Sequence, residues 1–293
     1  MNAPTALNLP QPQTLDPQAL RDFETLARIA REEAGLVIPP EKAAMVFSRV
    51  SKRLRALGIS DRSVYCKMLE SRDETAERRQ LVSALTTNVT SFFREPHHFD
   101  TLKEAILPEL TGRARAGERV RIWSAGCSTG PEPYSIAMAV FEKCPEALDL
   151  DIKILATDID PAALATARSG SYSSSQVSAI SEDRRRLFFR KPDASTHGSE
   201  CAQVSDRLTG LISFRELNLL ASWPMKFKFD VIFCRNVVIY FDRETQNALW
   251  PRFAQACRPG GYLFVGHSER LDDDSLPHFR SVGTTTYQRT NTN

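Results

Sequence analysis

The sequence is poor in everything that would mark a metal cluster, a disulfide scaffold or a membrane span. Six cysteines (Cys66, Cys127, Cys144, Cys201, Cys234, Cys257) are scattered over 293 residues with no C-x-x-C pair. That excludes the common cysteine-based metal sites and a disulfide framework, and leaves reduced, mostly buried thiols as the expectation. No run of about 18 apolar residues exists, so no membrane-spanning helix is expected. The N-terminal M-N-A-P-T-A-L-N-L-P has no basic segment leading into an apolar one, unlike a signal peptide. A cytoplasmic protein is therefore expected. The formal net charge is only +2, which gives no backbone footprint of the size nucleic-acid enzymes use. What is present is an ordinary soluble balance, 42% hydrophobic and 25% charged, enough for one large domain or two ordinary ones.

Residues 1–15 are rich in Pro, Gln and Asn and read as a disordered tail. From Asp16 to Thr87 the pattern is helical. Asp16 before Pro17 is an N-cap with proline in the first turn, and Leu20, Phe23, Leu26, Ala27 and Ala30 follow on one face. Pro39 and Pro40 separate a second helix that ends at Gly58. Ser60 is read as opening a third helix and Asp73 a fourth, ending near Leu85.

From residue 120 short apolar strands alternate with helices. The strands are V-R-I-W-S-A (120–125), I-K-I-L-A-T-D (152–158), L-I-S-F-R-E (211–216), F-D-V-I-F-C (229–234) and Y-L-F-V-G (262–266). Helices are expected at Pro133–Glu142, Pro161–Ser169 and Asp242–Cys257. This rhythm predicts an α/β fold with a parallel sheet covered on both faces. It lapses at about 172–210, where an inserted subdomain is expected.

In such sheets ligands bind beyond the carboxyl ends of the strands. The first strand runs into S-A-G-C-S-T-G-P-E-P. A phosphate loop would need lysine where Pro131 stands, and Gly126 and Gly130 are too far apart for the dinucleotide fingerprint. A helix start carrying Glu132 repels phosphate and suits a cationic or neutral ligand. The second strand ends at Asp158, placed to accept from ribose hydroxyls, with Asp160 capping the next helix. The third places Asn218 at the rim; the fourth places Arg235, Asn236 and Tyr240 there. Carboxylates, amides and glycines without a phosphate-directed lysine describe a site for S-adenosylmethionine, although doubly wound folds host many chemistries.

At these residues the sequence resembles the chemotaxis receptor methyltransferases known as CheR. The resemblance rests on six blocks in order: A-L-T-T-N-V-T-S-F-F-R-E-P-H-H-F (84–99), W-S-A-G-C-S-T-G-P-E-P-Y-S (123–135), A-T-D-I-D (156–160), N-L (218–219), F-D-V-I-F-C-R-N-V-V-I-Y-F (229–241) and G-G-Y-L-F-V-G-H-S-E (260–269). It spans about 16–288. It implies a Rossmann-like methyltransferase domain (88–293) with a small inserted β-subdomain, preceded by an all-helical N-terminal domain (16–87).

The resemblance also implies methyl transfer from S-adenosylmethionine to receptor glutamates, with S-adenosylhomocysteine as product. The cofactor contacts it suggests are Asn88, Thr90 and Arg94 in a linker, with Gly126, Glu132 and Asp158. Asn218 with Leu219 lie near the adenine, followed by Asn236 with Val237. Arg94 and Tyr240 fall beside the methyl-transfer position, Arg94 on either the cofactor's own carboxylate or the acceptor's. The partners implied are cytoplasmic methylation helices of membrane-embedded chemoreceptors, met by Arg49, Lys52 and Arg53 of a basic second helix that also carries Lys42 and Arg55. In many family members a receptor C-terminal tail docks on the inserted subdomain. No nucleic acid, no membrane insertion and a monomer are expected.

His97 and His98 are poor metal ligands at this spacing, so no metal is expected; His97 and His267 are read as structural. Pro131 stands where the family usually has glutamate. At a helix start proline loses no hydrogen bond, so Glu132 is expected to carry the cofactor contact alone. Two rivals remain: an enzyme of a related surface-sensing pathway, and a cofactor-sensing module without turnover.

Overall fold

The structure, a computed structural model, describes residues 15–71, 73–190, 201–271 and 277–290. They divide into two compact units, up to Leu85 and from Thr86 onward. All but the last residue of the tail expected to be disordered lies outside the described residues.

The first unit packs α1 (Pro17–Ala34), α2 (Ala43–Leu57), α3 (Arg62–Glu70) and α4 (Thr75–Leu85) around buried Phe23, Leu26, Val46, Val50, Leu69 and Leu81. Asp16 caps α1 by accepting from the Gln18 and Ala19 amides, each at 2.9 Å. A 3-10 turn, Pro40–Lys42, precedes α2. The third helix opens at Asp61, not Ser60, because the Asp61 carboxylate accepts from Ser63 N at 2.8 Å. Similarly, α4 begins at Thr75, two residues beyond Asp73. Glu77 is a buried charge that accepts three hydrogen bonds from two residues. Arg53 donates to both its oxygens at 2.7 Å, and the Tyr65 hydroxyl donates at 2.8 Å.

In the second unit, α5 (Pro96–Thr101) and α6 (Leu107–Arg115), joined by the π-helical turn Leu102–Ile106, lead into the sheet. Its strands are β1 (Val120–Ala125), β2 (Ile152–Asp158), β6 (Ile212–Glu216), β7 (Phe229–Cys234), β8 (Cys257–Val265), β9 (Phe279–Gly283) and β10 (Thr286–Arg289). The order is β6-β2-β1-β7-β8-β10-β9. The first five strands in that order run parallel and β10 runs antiparallel to both its neighbours.

The helices α7 (Pro131–Lys143), α8 (Pro161–Ser169), α11 (Asp206–Leu211) and α12 (Arg243–Ala256) connect strands. On β1 the side-chain alternation separates two cores. Val120 and Ile122 join Tyr134, Ile136 and Val140 of α7, whereas Trp123 and Ala125 join Trp250 and Phe253 of α12.

Two departures from the sequence expectation have physical causes. Strand β8 begins five residues early, through C-R-P-G-G. Its register against β7 slips between Phe229 and Val231, and Gly260 takes φ 76°. That bulge admits residues which ordinarily disfavour strands. The β9–β10 hairpin was not expected, because at the sheet edge most of β9 faces outward and only Phe279 is buried in it.

Where the rhythm lapses, β3 (Ser171–Ser173), β4 (Phe189–Arg190) and β5 (Cys201–Val204) form a separate antiparallel sheet, ordered β3-β5-β4. Short helices α9 (Ser174–Val177) and α10 (Glu182–Phe188) lie between its strands. Residues 191–200, the heart of the segment considered for a receptor tail, lie outside the described residues. The six cysteines are unpaired thiols, all buried except the half-buried Cys201.

Candidate active site

The turn after β1 is made by two glycines in the left-handed region. Gly126 takes φ 88°, and the amides of Gly126 and Cys127 both donate to the Thr157 carbonyl at the end of β2, at 2.8 and 2.9 Å. A Cβ on Gly126 would lie 2.2 Å from Val237 Cγ2, so the turns after β1 and β7 touch only because this residue is glycine. Gly130, at φ 99°, opens α7, and Pro131 is its first residue, as the sequence suggests.

Glu132 therefore stands on the first turn of α7 and reaches back to the strand ends. Its Oε1 accepts from Ser124 Oγ at 2.7 Å, and its Oε2 accepts from Arg235 Nη1 at 3.3 Å. Burial pushes the Glu132 carboxyl above the ordinary carboxylate value, with Arg235 and Ser124 opposing the rise. Arg235 is itself buried, its side chain 2% exposed. Its Nη2 donates to the Arg94 carbonyl and lies 3.4 Å from Glu95 Oε2. One guanidinium thus faces two carboxylates, leaving the cluster net negative. This donor set fits a ligand carrying an ammonium and a sulfonium, and does not fit a phosphate.

Asp158 ends β2, 8% exposed, and accepts from Ser128 N at 2.7 Å through one oxygen and from Asp160 N at 2.9 Å through the other. Burial pushes its carboxyl up while these amides pull it down. A carboxylate has about four acceptor positions, so each oxygen retains capacity for a hydroxyl. Asp160 caps α8 through Ala162 N at 2.9 Å, and its second oxygen accepts from Asn88 Nδ2 at 2.6 Å. Ser128 Oγ also lies 3.3 Å from Asn88 Oδ1. The linker residue Asn88 is thereby bound to the turns after β1 and β2.

The structure joins Asn88, Asp158 and Ser128 in one network, and Glu132, Arg235 and the Arg94 backbone in another. Arg94 turns its guanidinium to the Val89 carbonyl at 3.1 Å. Asn218 accepts from Leu220 N at 2.9 Å on its own turn, and Leu219 is buried beside it. Asn236, at φ 58°, and Val237 donate their amides to Glu269 at 2.9 and 2.8 Å. Thr90 and Tyr240 are half-buried, Tyr240 on the 3-10 turn Val238–Tyr240. The inserted sheet closes on the linker: the Phe92 ring meets Tyr172 and Phe189 edge-on at 5.0 and 5.6 Å.

The sequence reading named Arg235 only as a rim residue and gave no role to Glu95. The signal for Arg235 was its place directly after a wholly buried strand. For Glu95 no motif offered one. Ligand atoms of Glu95, His97 and His98 lie within 4.8 Å of one another, and the Arg235 guanidinium lies 3.4 Å from Glu95 Oε2, a positive charge that disfavours a metal ion beside it. His267 binds Glu95 Oε1 through both its amide and Nδ1, at 3.1 Å each.

Comparison with known proteins agrees with this geometry. The family model described as CheR methyltransferase, SAM binding domain, matches residues 88–288, and that described as CheR methyltransferase, all-alpha domain, matches 21–86. A probable chemotaxis protein methyltransferase of Rhizobium etli is 50% identical over 258 residues, covering 88% of this chain and 96% of its own. The chemotaxis protein methyltransferase of Salmonella typhimurium is 39% identical, covering 90% and 88%. Chemotaxis protein methyltransferase 2 of Pseudomonas aeruginosa is 40% identical, covering 91% and 92%. Matched in both of its units, this chain belongs to the CheR family of S-adenosylmethionine-dependent methyltransferases.

Proposed function

We propose that this protein methylates glutamate side-chain carboxylates of chemoreceptors in sensory adaptation, producing glutamate methyl esters and S-adenosylhomocysteine. The observation that carries the reading is the half-buried Glu132 at the head of α7, held by Ser124 and Arg235 in a net-negative cluster. Glu132 would hold the ammonium of the cofactor's amino-acid end, and Asp158 the ribose hydroxyls. Asn218, Leu219, Asn236 and Val237 would line the adenosine, with Gly126 leaving room beside Val237. Asn88 and Thr90 would fold over it from the linker. Arg94 would bind the cofactor's carboxylate.

When bound, S-adenosylmethionine supplies a methyl group made electrophilic by its sulfonium. A glutamate acceptor has an ordinary pKa of about 4.3 and arrives already ionised, so no side chain need remove a proton. A C–O bond forms as the C–S bond breaks, its electron pair staying on sulfur, and two opposite charges are neutralised. The protein's task is to exclude water and align the partners within about 3–3.5 Å. Tyr240 would line the methyl path and donate to the acceptor carboxylate.

Receptor recognition is assigned to α2 through Arg49, Lys52 and Arg53, facing acidic methylation helices. The inserted sheet is the candidate for a receptor tail, which would raise effective concentration. The reading takes the protein as a cytoplasmic monomer without a metal; among the described residues no helix is long and apolar enough to cross a membrane. The test supplies S-adenosylmethionine labelled in its methyl group, together with membranes bearing candidate receptors. Base-labile label on receptor glutamates is expected. Tight cofactor binding with no label on any receptor would overturn the reading in favour of a sensing module.

A further inference from the structure

One buried carboxylate outside the cofactor networks has more backbone partners than any other described here. Glu269, 3% exposed, follows β8 on the turn Gly266–Glu269, closed by Glu269 N donating to Gly266 O at 2.9 Å. Its Oε2 accepts from the amides of Gly266 and Asn236 (2.9 Å for the latter). Its Oε1 accepts from Val237 at 2.8 Å, Val238 at 2.9 Å and Ile239 at 3.4 Å. Both oxygens accept and neither donates, so the arrangement is that of the ionised form.

We infer that Glu269 is a positioning residue for methyl transfer, fixing the 236–240 loop so that Asn236, Val237 and Tyr240 face the reaction. The inference rests on the reading that this loop touches the cofactor. Four successive amides, 236 to 239, point at one side chain where the chain turns from β7 into its 3-10 turn. Without an acceptor they would lose their shared partner at a partly buried turn end, where Val238 is buried and Asn236 and Val237 half-buried. The left-handed conformation of Asn236 (φ 58°) is one that a non-glycine residue keeps only when its surroundings hold it there. The other side of the nest is equally tight. A Cβ on Gly266 would lie 2.5 Å from Asn236 Nδ2 and 2.8 Å from Glu269 Oε2. Glutamine cannot substitute: its amide NH₂ would oppose either the Gly266–Asn236 pair or the 237–239 set.

A buried carboxylate at the opposite end of β7 provides the control. Asp230 accepts from Arg113 and Arg258 at 2.8 and 2.7 Å and from Arg121 N at 2.7 Å, far along the strand from the loop. The full-length variants Glu269→Gln, Asp230→Asn and Asn236→Ala are compared by thermal melting, by calorimetric titration with S-adenosylmethionine, and by kcat and KM on receptor membranes. All are measured at a temperature where each is folded.

Glu269→Gln is expected to weaken cofactor binding by about ten-fold or more and to lower kcat. Asp230→Asn is expected to lower Tm while leaving the Kd within about two-fold. A Glu269→Gln protein that melts lower yet binds and turns over within about two-fold of the parent overturns the inference. Should that variant not fold, amide exchange on the unaltered protein without cofactor decides. Protection of Val237 and Val238 equal to that of β7 supports the inference, and exchange at the rate of an exposed loop overturns it. Asn236→Ala separates the underlying reading. Unchanged affinity there with loss in Glu269→Gln removes the Asn236 contact and leaves the positioning role in place.

Discussion

Arg235 donates through Nη1 to Glu132 Oε2 at 3.3 Å, at the rim where β1 and β7 end side by side. The guanidinium is shared with Glu95 at 3.4 Å, so Glu132 is only partly neutralised and retains charge for a cationic ligand. Glu132→Ala is therefore expected to weaken S-adenosylmethionine binding by about 10- to 100-fold, the loss of one charge-assisted hydrogen bond of ~1.5–3 kcal/mol. S-adenosylhomocysteine keeps the same amino-acid end and should lose as much. Calorimetric titration at neutral pH measures both. Unchanged affinities would remove Glu132 from the site, and with it the idea that Pro131 replaced a dispensable carboxylate.

Arg94 and Tyr240 should separate into binding and chemistry. Arg94→Ala is expected to raise the Kd for cofactor, because its guanidinium is assigned to the cofactor carboxylate. Tyr240→Phe is expected to leave that Kd unchanged and to lower kcat by about ten-fold, the worth of one hydrogen bond of ~1.4 kcal/mol made in the transition state. A Tyr240→Phe enzyme with parental kcat would show that the hydroxyl does not touch the acceptor. If Arg94→Ala affects KM for receptor and not cofactor affinity, the arginine belongs to the acceptor.

Which parts of this were legible in the sequence follows from where the determining forces are local. The buried strands β1, β2 and β7 are continuous apolar runs bounded by turn residues, and their limits match the sequence expectation to the residue. Asp16 and Asp160 cap helices as read, because a cap is a contact between near neighbours in sequence. The sequence does not show the β9–β10 hairpin, because in the edge strand β9 only Phe279 is buried and in β10 only Thr286 and Tyr287 are, so neither strand alternates.

The site divides in the same way. Glu132 and Asp158 stand at strand and helix ends, which periodicity locates. The pairing of Arg235 with Glu132 spans 103 positions, and that of Glu269 with Val237 spans 32. No local pattern encodes such contacts, so they became visible only in the folded chain.

The basic residues of α2 are not equivalent. Lys52 is exposed, whereas Arg53 is bound through two nitrogens to the buried Glu77, and Arg49 donates to the Leu85 carbonyl at 2.7 Å. Lys52→Glu is expected to raise KM for receptor membranes, more at low salt than at high, with Tm unchanged. Arg53→Ala is expected to cost about 2 kcal/mol of stability, below the ~3–5 typical of fully buried pairs because the arginine is partly exposed. Urea unfolding of the two variants checks this. A Lys52→Glu protein methylating receptors at the parental rate in low salt would take the recognition role away from this face of α2.

His98 should remain uncharged well into the acid range. Its side chain is fully buried against Phe264, with Nε2 2.8 Å from Thr285 Oγ1 and 3.3 Å from the Thr284 carbonyl. Burial pushes the imidazole down to about 3, and Arg235 and His97 push the same way, against Glu95 and the Thr284 carbonyl. An unfolded histidine takes up its proton near 6.5. Between those two values the unfolded chain binds a proton that the folded chain refuses. The stability contributed by neutral His98 is thus complete above about pH 6.5 and declines as pH falls toward 3, by up to about 1.4 kcal/mol per pH unit. Urea unfolding from pH 7 to 4.5 should show a steeper fall for the parent protein than for His98→Gln, whose absolute stability is immaterial to the slope. The imidazole signals give the direct test. A His98 ring that titrates near its ordinary value in the folded protein would mean that the Glu95–Arg235 cluster is open to water.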